Sequence, residues 1–159
     1  MTRIGCTGHQ AMSLETRRAV AATIAARLVQ IEGELIGVCS LALGADQIFA
    51  YSVLAAGGEV HSVIPSSGYH TTFGDGPERE AYSALATLAS QQLVLPFSVP
   101  GEEAFLAAGR EVADNCDILI AVWDGLPAAG VGGTADVVKY AMEQGTPVEV
   151  IWPDGSRRQ

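Results

Sequence analysis

The stretch Asp117-Ile-Leu-Ile-Ala-Val-Trp123 decides the fold of this chain. It is a short and near-continuous apolar run, which is typical of a central parallel strand that helices cover on both faces. On both sides of it, short strand-like runs alternate with helix-like stretches. This alternation predicts an α/β fold with a doubly wound, mostly parallel sheet.

The predicted sheet has about six strands with helices on both faces. We predict strands over 2–6, 35–39, 59–64, 91–95, 117–123 and 147–152, and helices over 14–31, 45–56, 102–115 and 134–144, with a further helix starting at Asp75-Gly-Pro-Glu78. No internal repeat and no linker interrupts the pattern. We therefore expect one Rossmann-like nucleotide-binding domain over 1–155, followed by a polar tail over 156–159.

The composition is that of a folded globular domain. The chain has 159 residues, of which 48% are hydrophobic and 17% charged. A disordered chain would be poor in apolar residues and rich in charge. The length fits one domain with a single full core.

The charge is strongly acidic, with a formal net charge of −9 at pH 7. Proteins that bind long polyanions normally present a basic face, and this chain has only nine basic residues, one of which, Lys139, is a lysine. We therefore expect no nucleic-acid partner and no membrane partner. A small phosphorylated ligand remains compatible with the charge, because backbone N–H groups can bind phosphate locally.

The cysteines and the N-terminal sequence predict a cytoplasmic protein. Cys6, Cys39 and Cys116 are an odd set without a Cys-x-x-Cys spacing, which favours reduced thiols. The sequence starts directly with a strand pattern and shows no signal-peptide core. The three histidines form no pair at metal-binding spacing, and we expect neither a metal nor a cofactor.

The candidate site follows the strands, because ligands of open parallel sheets bind beyond the carboxyl ends of the strands. The segments at these positions are rich in glycine and in small hydroxyl side chains. The candidate ligand contacts are Thr7, Gly8 and His9 after the first strand, Ser40, Gly44 and Asp46 after the second, Ser66 after the third and Asp124 after the fifth.

A glycine-rich loop, Gly130-Val-Gly-Gly-Thr134, opens the last helix and is the strongest phosphate-binding candidate. Glycines allow close approach of a ligand, and the helix start supplies unpaired N–H groups at the positive end of the dipole. We expect Gly132, Gly133 and Thr134 to contact a phosphate. The alternative is an ordinary loop in which Thr134 only caps the helix. The sequence has neither the standard Rossmann fingerprint nor a Walker A loop.

Other candidate side chains have both a ligand-binding and a structural interpretation. Arg110 can bind a phosphate or pair with Asp114 on the same helix. Asp46 can accept hydrogen bonds from ribose hydroxyls or only complement the dipole of its helix. Asp124 can contact a hydroxyl or a base, or only form an Asp-Gly turn. His9 is a candidate ligand contact in the first loop.

The order of these motifs carries a family resemblance. In chain order they are Ile4-Gly-Cys-Thr-Gly-His9, Ser40-Leu-Ala-Leu-Gly-Ala-Asp46, Gly109-Arg110, Cys116-Asp-Ile-Leu-Ile-Ala-Val-Trp-Asp-Gly125 and Gly132-Gly-Thr-Ala-Asp-Val-Val-Lys-Tyr-Ala141. Over roughly residues 3–152 the sequence resembles the SLOG superfamily, which includes LOG phosphoribohydrolases, molybdenum-cofactor carriers and the DNA-processing protein A fold. The resemblance implies a nucleotide-type ligand and favours a ligand-binding role for Arg110.

The sequence departs from the phosphoribohydrolases at the catalytic position. Their motif is Pro-Gly-Gly-x-Gly-Thr-x-x-Glu, whereas this chain has Val137 where the glutamate stands. Asp136 lies one residue earlier, which is a rotation of about 100° on a helix. The DNA-processing relatives need a basic surface, which this chain lacks.

Three functions follow from these observations. The first is a sensor or carrier that binds a ribose-phosphate or adenosine-type ligand. The alternative is a LOG-like phosphoribohydrolase that cleaves the N-glycosidic bond of a nucleoside 5′-monophosphate, with Asp136 or Asp46 as its catalytic carboxylate. The third is a structural protein with a vestigial site. The helix over 45–56 is apolar nearly all round, which predicts burial in a core or a homo-oligomer interface.

Overall fold

The computed structural model describes residues 1–127 and 133–157 of the chain. Within these ranges the strands are β1 (Thr2–Gly8), β2 (Leu35–Cys39), β3 (Glu59–Ser66), β4 (Gln91–Phe97), β5 (Ile118–Val122) and β6 (Val148–Ile151). The α-helices are α1 (Leu14–Leu28), α2 (Ala45–Ala55), α3 (Pro77–Leu88), α4 (Glu102–Asp114) and α5 (Thr134–Glu143), and a 3₁₀-helix spans Tyr69–Phe73.

The strands form one six-stranded sheet in the order β4-β3-β2-β1-β5-β6, and all neighbouring strands are parallel. The predicted α/β Rossmann-like fold is confirmed. The edges of the elements differ by a few residues. Strand β1 continues to Gly8, because its pairing with β5 runs on to the register Gly8↔Val122.

The start and the buried face of α1 show how the sequence specifies these elements. The Thr16 N–H donates a hydrogen bond of 3.1 Å to Oγ of the N-cap residue Ser13, which satisfies a helix-end donor. Val20, Ile24 and Leu28 recur at helical spacing and are buried against the sheet.

The hydrophobic core lies in two layers, one on each face of the sheet. Helices α1, α2 and α3 contribute to the larger layer, and α4 and α5 contribute to the smaller one. In α2, Phe49, Ala50 and Val53 are completely buried within this chain. The apolar character of α2 is therefore explained by the core of its own chain, and the homo-oligomer stays a prediction.

The strand order places a topological switch point between β1 and β5. The chain moves outward from β1 to β4 and then crosses back to start β5 on the other side of β1. At such a point the connections leave the sheet in opposite directions and open a crevice at the carboxyl ends of the strands. None of the helices in the described ranges is long and apolar enough to span a bilayer.

Candidate functional site

A cavity of about 520 Å³ opens at the carboxyl ends of the strands beside this switch point. Its volume is in the range of small-molecule binding sites. Seven of the candidate residues line it, and they come from the end of β1 and the residue after it, from the β2–α2 connection and the first turn of α2, and from the start of α5. They are Thr7, Gly8, His9, Ser40, Asp46, Gly133 and Thr134.

Gly8 brings the start of α2 directly onto β1. A Cβ atom at Gly8 would lie 2.5 Å from Cβ of Ala45 and 2.8 Å from Cβ of Val122. Gly44 precedes α2 with a φ of +79°, and a Cβ there would meet the backbone oxygen of Gln10. These glycines therefore shape the cavity wall by close packing, although Gly44 itself is not a lining residue.

Asp46 is a buried carboxyl group on the wall of the cavity. Its Oδ2 accepts hydrogen bonds from the N–H groups of Ser40 at 3.1 Å and Ala42 at 3.4 Å. Leu41, between them, has a φ of +58°, and this turn lets the loop wrap around the carboxyl group. Burial raises the pKa of Asp46 to about 7, although the two backbone hydrogen bonds act in the opposite direction.

His9 and Asp124 lie against each other across the switch point, at the ends of β1 and β5. The Asp124 N–H donates to Nε2 of His9 at 3.1 Å. Oδ1 of Asp124 lies 3.3 Å from the same nitrogen and accepts a hydrogen bond from the Leu126 N–H at 2.9 Å. The His9 ring also packs edge-on against Trp152. Asp124 therefore orients His9 and does not itself line the cavity.

The start of α5 presents backbone donors to the cavity. Gly133 is the N-cap residue and provides no capping side chain. Its carbonyl accepts hydrogen bonds from the N–H groups of Asp136 and Val137. Within the described ranges, neither the N–H groups of Thr134 and Ala135 nor the Thr134 hydroxyl makes a hydrogen bond. Both residues line the cavity. Gly132, the third residue predicted to contact a phosphate, lies outside the described residues.

Three further candidates lie away from the cavity wall. Ser66 is completely buried, and its hydroxyl finds no partner among the described residues. Asp136 is half-buried in the first turn of α5. Arg110 is exposed, and its guanidinium carbon lies 5.1 Å from the centroid of the Tyr140 ring. The ligand contacts and catalytic roles of these residues stay predictions.

The structural interpretation of Arg110 was a pairing with Asp114 on the same helix, but Asp114 has another partner. The Tyr140 hydroxyl donates to the carboxylate of Asp114, whose two oxygens lie 2.8 and 2.9 Å from it. In the described part of the chain no ion pair joins Asp114 to Arg110. Arg110 and Asp114 thus both contact Tyr140, and this cluster fastens α4 to α5.

The cavity has an aromatic wall that the sequence analysis missed. Tyr69 and Phe73 of the 3₁₀-helix and Phe105 of α4 line it. The Tyr69 ring packs edge-on against Phe73 at 5.1 Å and against Phe105 at 6.1 Å between centroids. The available signal was the spacing of Tyr69 and Phe73, which places both rings on one side of a helical turn, in a segment for which we predicted neither a helix nor a strand.

The cavity wall carries no lysine or arginine among the described residues. A bound anion would therefore be held by backbone N–H groups and hydroxyls rather than by an ion pair. Asp46 lines the same cavity, so an anionic group is favoured at the α5 end, away from this carboxyl group. In the described ranges, no three side chains of His, Cys, Asp or Glu are placed to hold a metal ion.

The six-stranded parallel sheet with helices on both faces defines a Rossmann-like α/β fold. No protein-family model and no curated protein matches the sequence. Solved structures share the fold at sequence identities below 25%, and at this level the likeness concerns the fold alone.

Among these structures is DNA processing protein A from Streptococcus pneumoniae, with a TM-score of 0.69 and 22% identity over 98% of this chain. This chain spans about half of that protein, 52% of its length. DNA processing protein A from Helicobacter pylori has a TM-score of 0.68 and 19% identity over 99% of this chain and 68% of its own. The molybdenum cofactor binding protein from Rippkaea orientalis has a TM-score of 0.59 and 16% identity over 96% of this chain and 77% of its own.

These comparisons correct one expectation. The net charge led us to exclude a nucleic-acid partner, and this exclusion is wrong. The Helicobacter pylori protein with the same fold is described by its single-stranded DNA binding mode. The physical reason is that a net charge averages over the whole surface, whereas a ligand responds to the local potential of a cleft.

Proposed function

We propose that the chain binds a small phosphorylated nucleotide-type ligand in the cavity at the switch point and acts as a sensor or carrier of it. The observation that carries the proposal is the start of α5, where the N–H groups of Thr134 and Ala135 and the Thr134 hydroxyl have no hydrogen-bond partner in the described ranges. All three groups belong to residues that line the cavity.

Helix starts with unpaired N–H groups are ready-made anion sites, because the helix dipole adds to the donors. The Thr134 hydroxyl adds a third donor. The size of the cavity and its position beside β1 and β5 support a ligand of nucleotide size. The fold likeness to a molybdenum cofactor binding protein also favours a small ligand.

A calorimetric titration tests the proposal with three probes: adenosine monophosphate, ribose 5-phosphate and adenosine. We expect both phosphorylated compounds to bind and adenosine to bind at least about tenfold more weakly, because it cannot use the α5 donors. The variant Thr134→Val removes one donor and should weaken both phosphorylated compounds. Thr87→Val, at an exposed position of α3, is the matched control. Equal affinities for adenosine and its monophosphate would refute the phosphate site.

Hydrolysis of the N-glycosidic bond is the second candidate, and the state of Asp46 favours it. A carboxyl group whose pKa is about 7 can take up or release a proton near neutral pH, as a general acid or base must. Incubation with nucleoside monophosphates should then release free base, and Asp46→Asn should abolish the release. If monophosphates bind without any release of base, the protein is a binding protein only.

Single-stranded DNA is a third ligand to test, since a protein of the same fold binds it. An oligodeoxythymidylate titrated under the same conditions decides this point. If the protein binds the oligodeoxythymidylate but binds no mononucleotide and no sugar phosphate, the small-ligand proposal is contradicted.

A further inference from the structure

Two buried polar groups on the cavity wall have no hydrogen-bond partner in the described chain. They are Oδ1 of Asp46 and the hydroxyl of Tyr69. Asp46 is only 6% exposed and Tyr69 only 5%, and both residues line the cavity. Neither atom is among the completely buried polar side-chain atoms that have no hydrogen-bond partner. Buried polar groups in native proteins are nearly always paired, so two open ones on a single cavity wall indicate a ligand contact.

These two groups act on each other electrostatically. Burial raises the pKa of Tyr69, and the negative charge of Asp46 raises it further. They approach the cavity from different elements, since Asp46 lies in the first turn of α2 and Tyr69 starts the 3₁₀-helix after β3. Because both residues line the same cavity, one bound ligand can contact both.

The hydrogen-bonding capacity of the pair decides what kind of group fits. Oδ2 of Asp46 already accepts from Ser40 and Ala42, so that only Oδ1 is open to a ligand. An amidine-like edge, such as that of guanine, requires two acceptor oxygens side by side. The Tyr69 hydroxyl both donates and accepts. Oδ1 of Asp46 accepts a hydrogen bond, and the Tyr69 hydroxyl can both donate and accept one. This combination matches two neighbouring hydroxyl groups of a ligand.

We propose that Asp46 and Tyr69 form a subsite for the vicinal diol of a ribose, so that the cavity selects ribose-containing ligands over their 2-deoxy analogues. The inference rests on the proposed function, which places the phosphate at the start of α5. From β5 to β2 there are two strand spacings, about 10 Å, which is of the order of the reach of a sugar phosphate.

The test compares ribose 5-phosphate with 2-deoxyribose 5-phosphate by calorimetric titration. These probes carry no base and therefore do not depend on which base the ligand has. We expect the protein to bind ribose 5-phosphate about tenfold more tightly, the effect of one or two hydrogen bonds to buried groups.

The variants Tyr69→Phe and Asp46→Asn should reduce this preference to less than about threefold. Tyr69→Phe removes a hydroxyl that bonds to no described residue and keeps the aromatic packing, so its melting temperature should stay at the wild-type value. Tyr82→Phe is the matched control, because Tyr82 packs in the same aromatic cluster without lining the cavity. The control should keep the full preference.

The outcomes separate this inference from the proposed function. Binding of both sugar phosphates with equal affinity would overturn the diol subsite and leave the phosphate site intact. A preference that survives in both Tyr69→Phe and Asp46→Asn would also overturn it, because other groups would then recognise the hydroxyl. If neither sugar phosphate binds, the proposed function and this inference fail together.

Discussion

Asp46→Asn should make the protein more stable at neutral and alkaline pH, and the gain should disappear in acid. In the wild type, folding raises the pKa of Asp46 from 3.8 to about 7, mainly by burial. Between these values the folded chain holds a proton that the unfolded chain releases. Stability therefore falls as the pH rises through this window. Asparagine carries no charge and can accept the same hydrogen bonds from Ser40 and Ala42.

The size of the effect follows from the shift. About three pKa units at about 1.4 kcal/mol each give roughly 4 kcal/mol at full ionisation. For a chain of this length that is a rise in melting temperature of about 10 °C above pH 8, and no difference near pH 4.

Urea unfolding followed by circular dichroism at several pH values measures the difference between the variant and the wild type. Asp154→Asn is the control, since Asp154 is exposed and the burial argument does not apply to it. A stability gain of Asp46→Asn that is the same at pH 4 and above pH 8 would refute the buried-charge reasoning.

Three further predictions concern the scaffold and the surface around the cavity. Gly8→Ala should cost about 2 kcal/mol of unfolding free energy, because the new Cβ overlaps the start of α2 and strand β5; an unchanged urea midpoint would contradict this. Arg110→Ala should leave the affinity for ribose 5-phosphate within about twofold in calorimetry, since Arg110 lies over Tyr140; a loss above about tenfold would support the phosphate contact predicted from the sequence. Arg27→Met should cost roughly 0.5–1 kcal/mol by removing the partly exposed ion pair with Glu149; urea titrations should show a smaller loss at high salt, and a salt-independent loss would contradict the ionic explanation.

The sequence predicted the sheet because its signals are local and strong. The apolar run ending at Trp123 specified a buried central strand, and the N-cap residue Ser13 stands directly before the first helix. Small deviations arose at the strand ends. There the number of paired residues depends on the neighbouring strand rather than on the residues themselves, as the extension of β1 to Gly8 shows.

The candidate site was predictable where it follows from topology. Ser40, Asp46 and Thr134 lie at the carboxyl ends of strands, and any doubly wound sheet brings such positions to one edge. The direction of individual side chains was not predictable in the same way. Arg110 and Asp136 lie on helices whose rotation is set by packing, and they lie away from the cavity wall.

The aromatic wall of the cavity could not be predicted from the sequence pattern. The segment with Tyr69 and Phe73 contains glycine, serine and threonine, which favour a loop assignment. Its two rings form the wall only because Tyr82 and Phe105 pack against them from other elements. Contacts between elements so distant in the chain leave no local periodicity to detect.

The most direct test of the anion site is a titration of the isotope-labelled protein with ribose 5-phosphate, followed through its backbone amide signals by NMR. We expect saturable shifts of the Thr134 and Ala135 amides, because both residues line the cavity and their N–H groups have no partner in the described ranges. Signals on the outer face of α4, around Arg110, should stay in place. Unchanged Thr134 and Ala135 signals, or shifts confined to that outer face, would contradict the account.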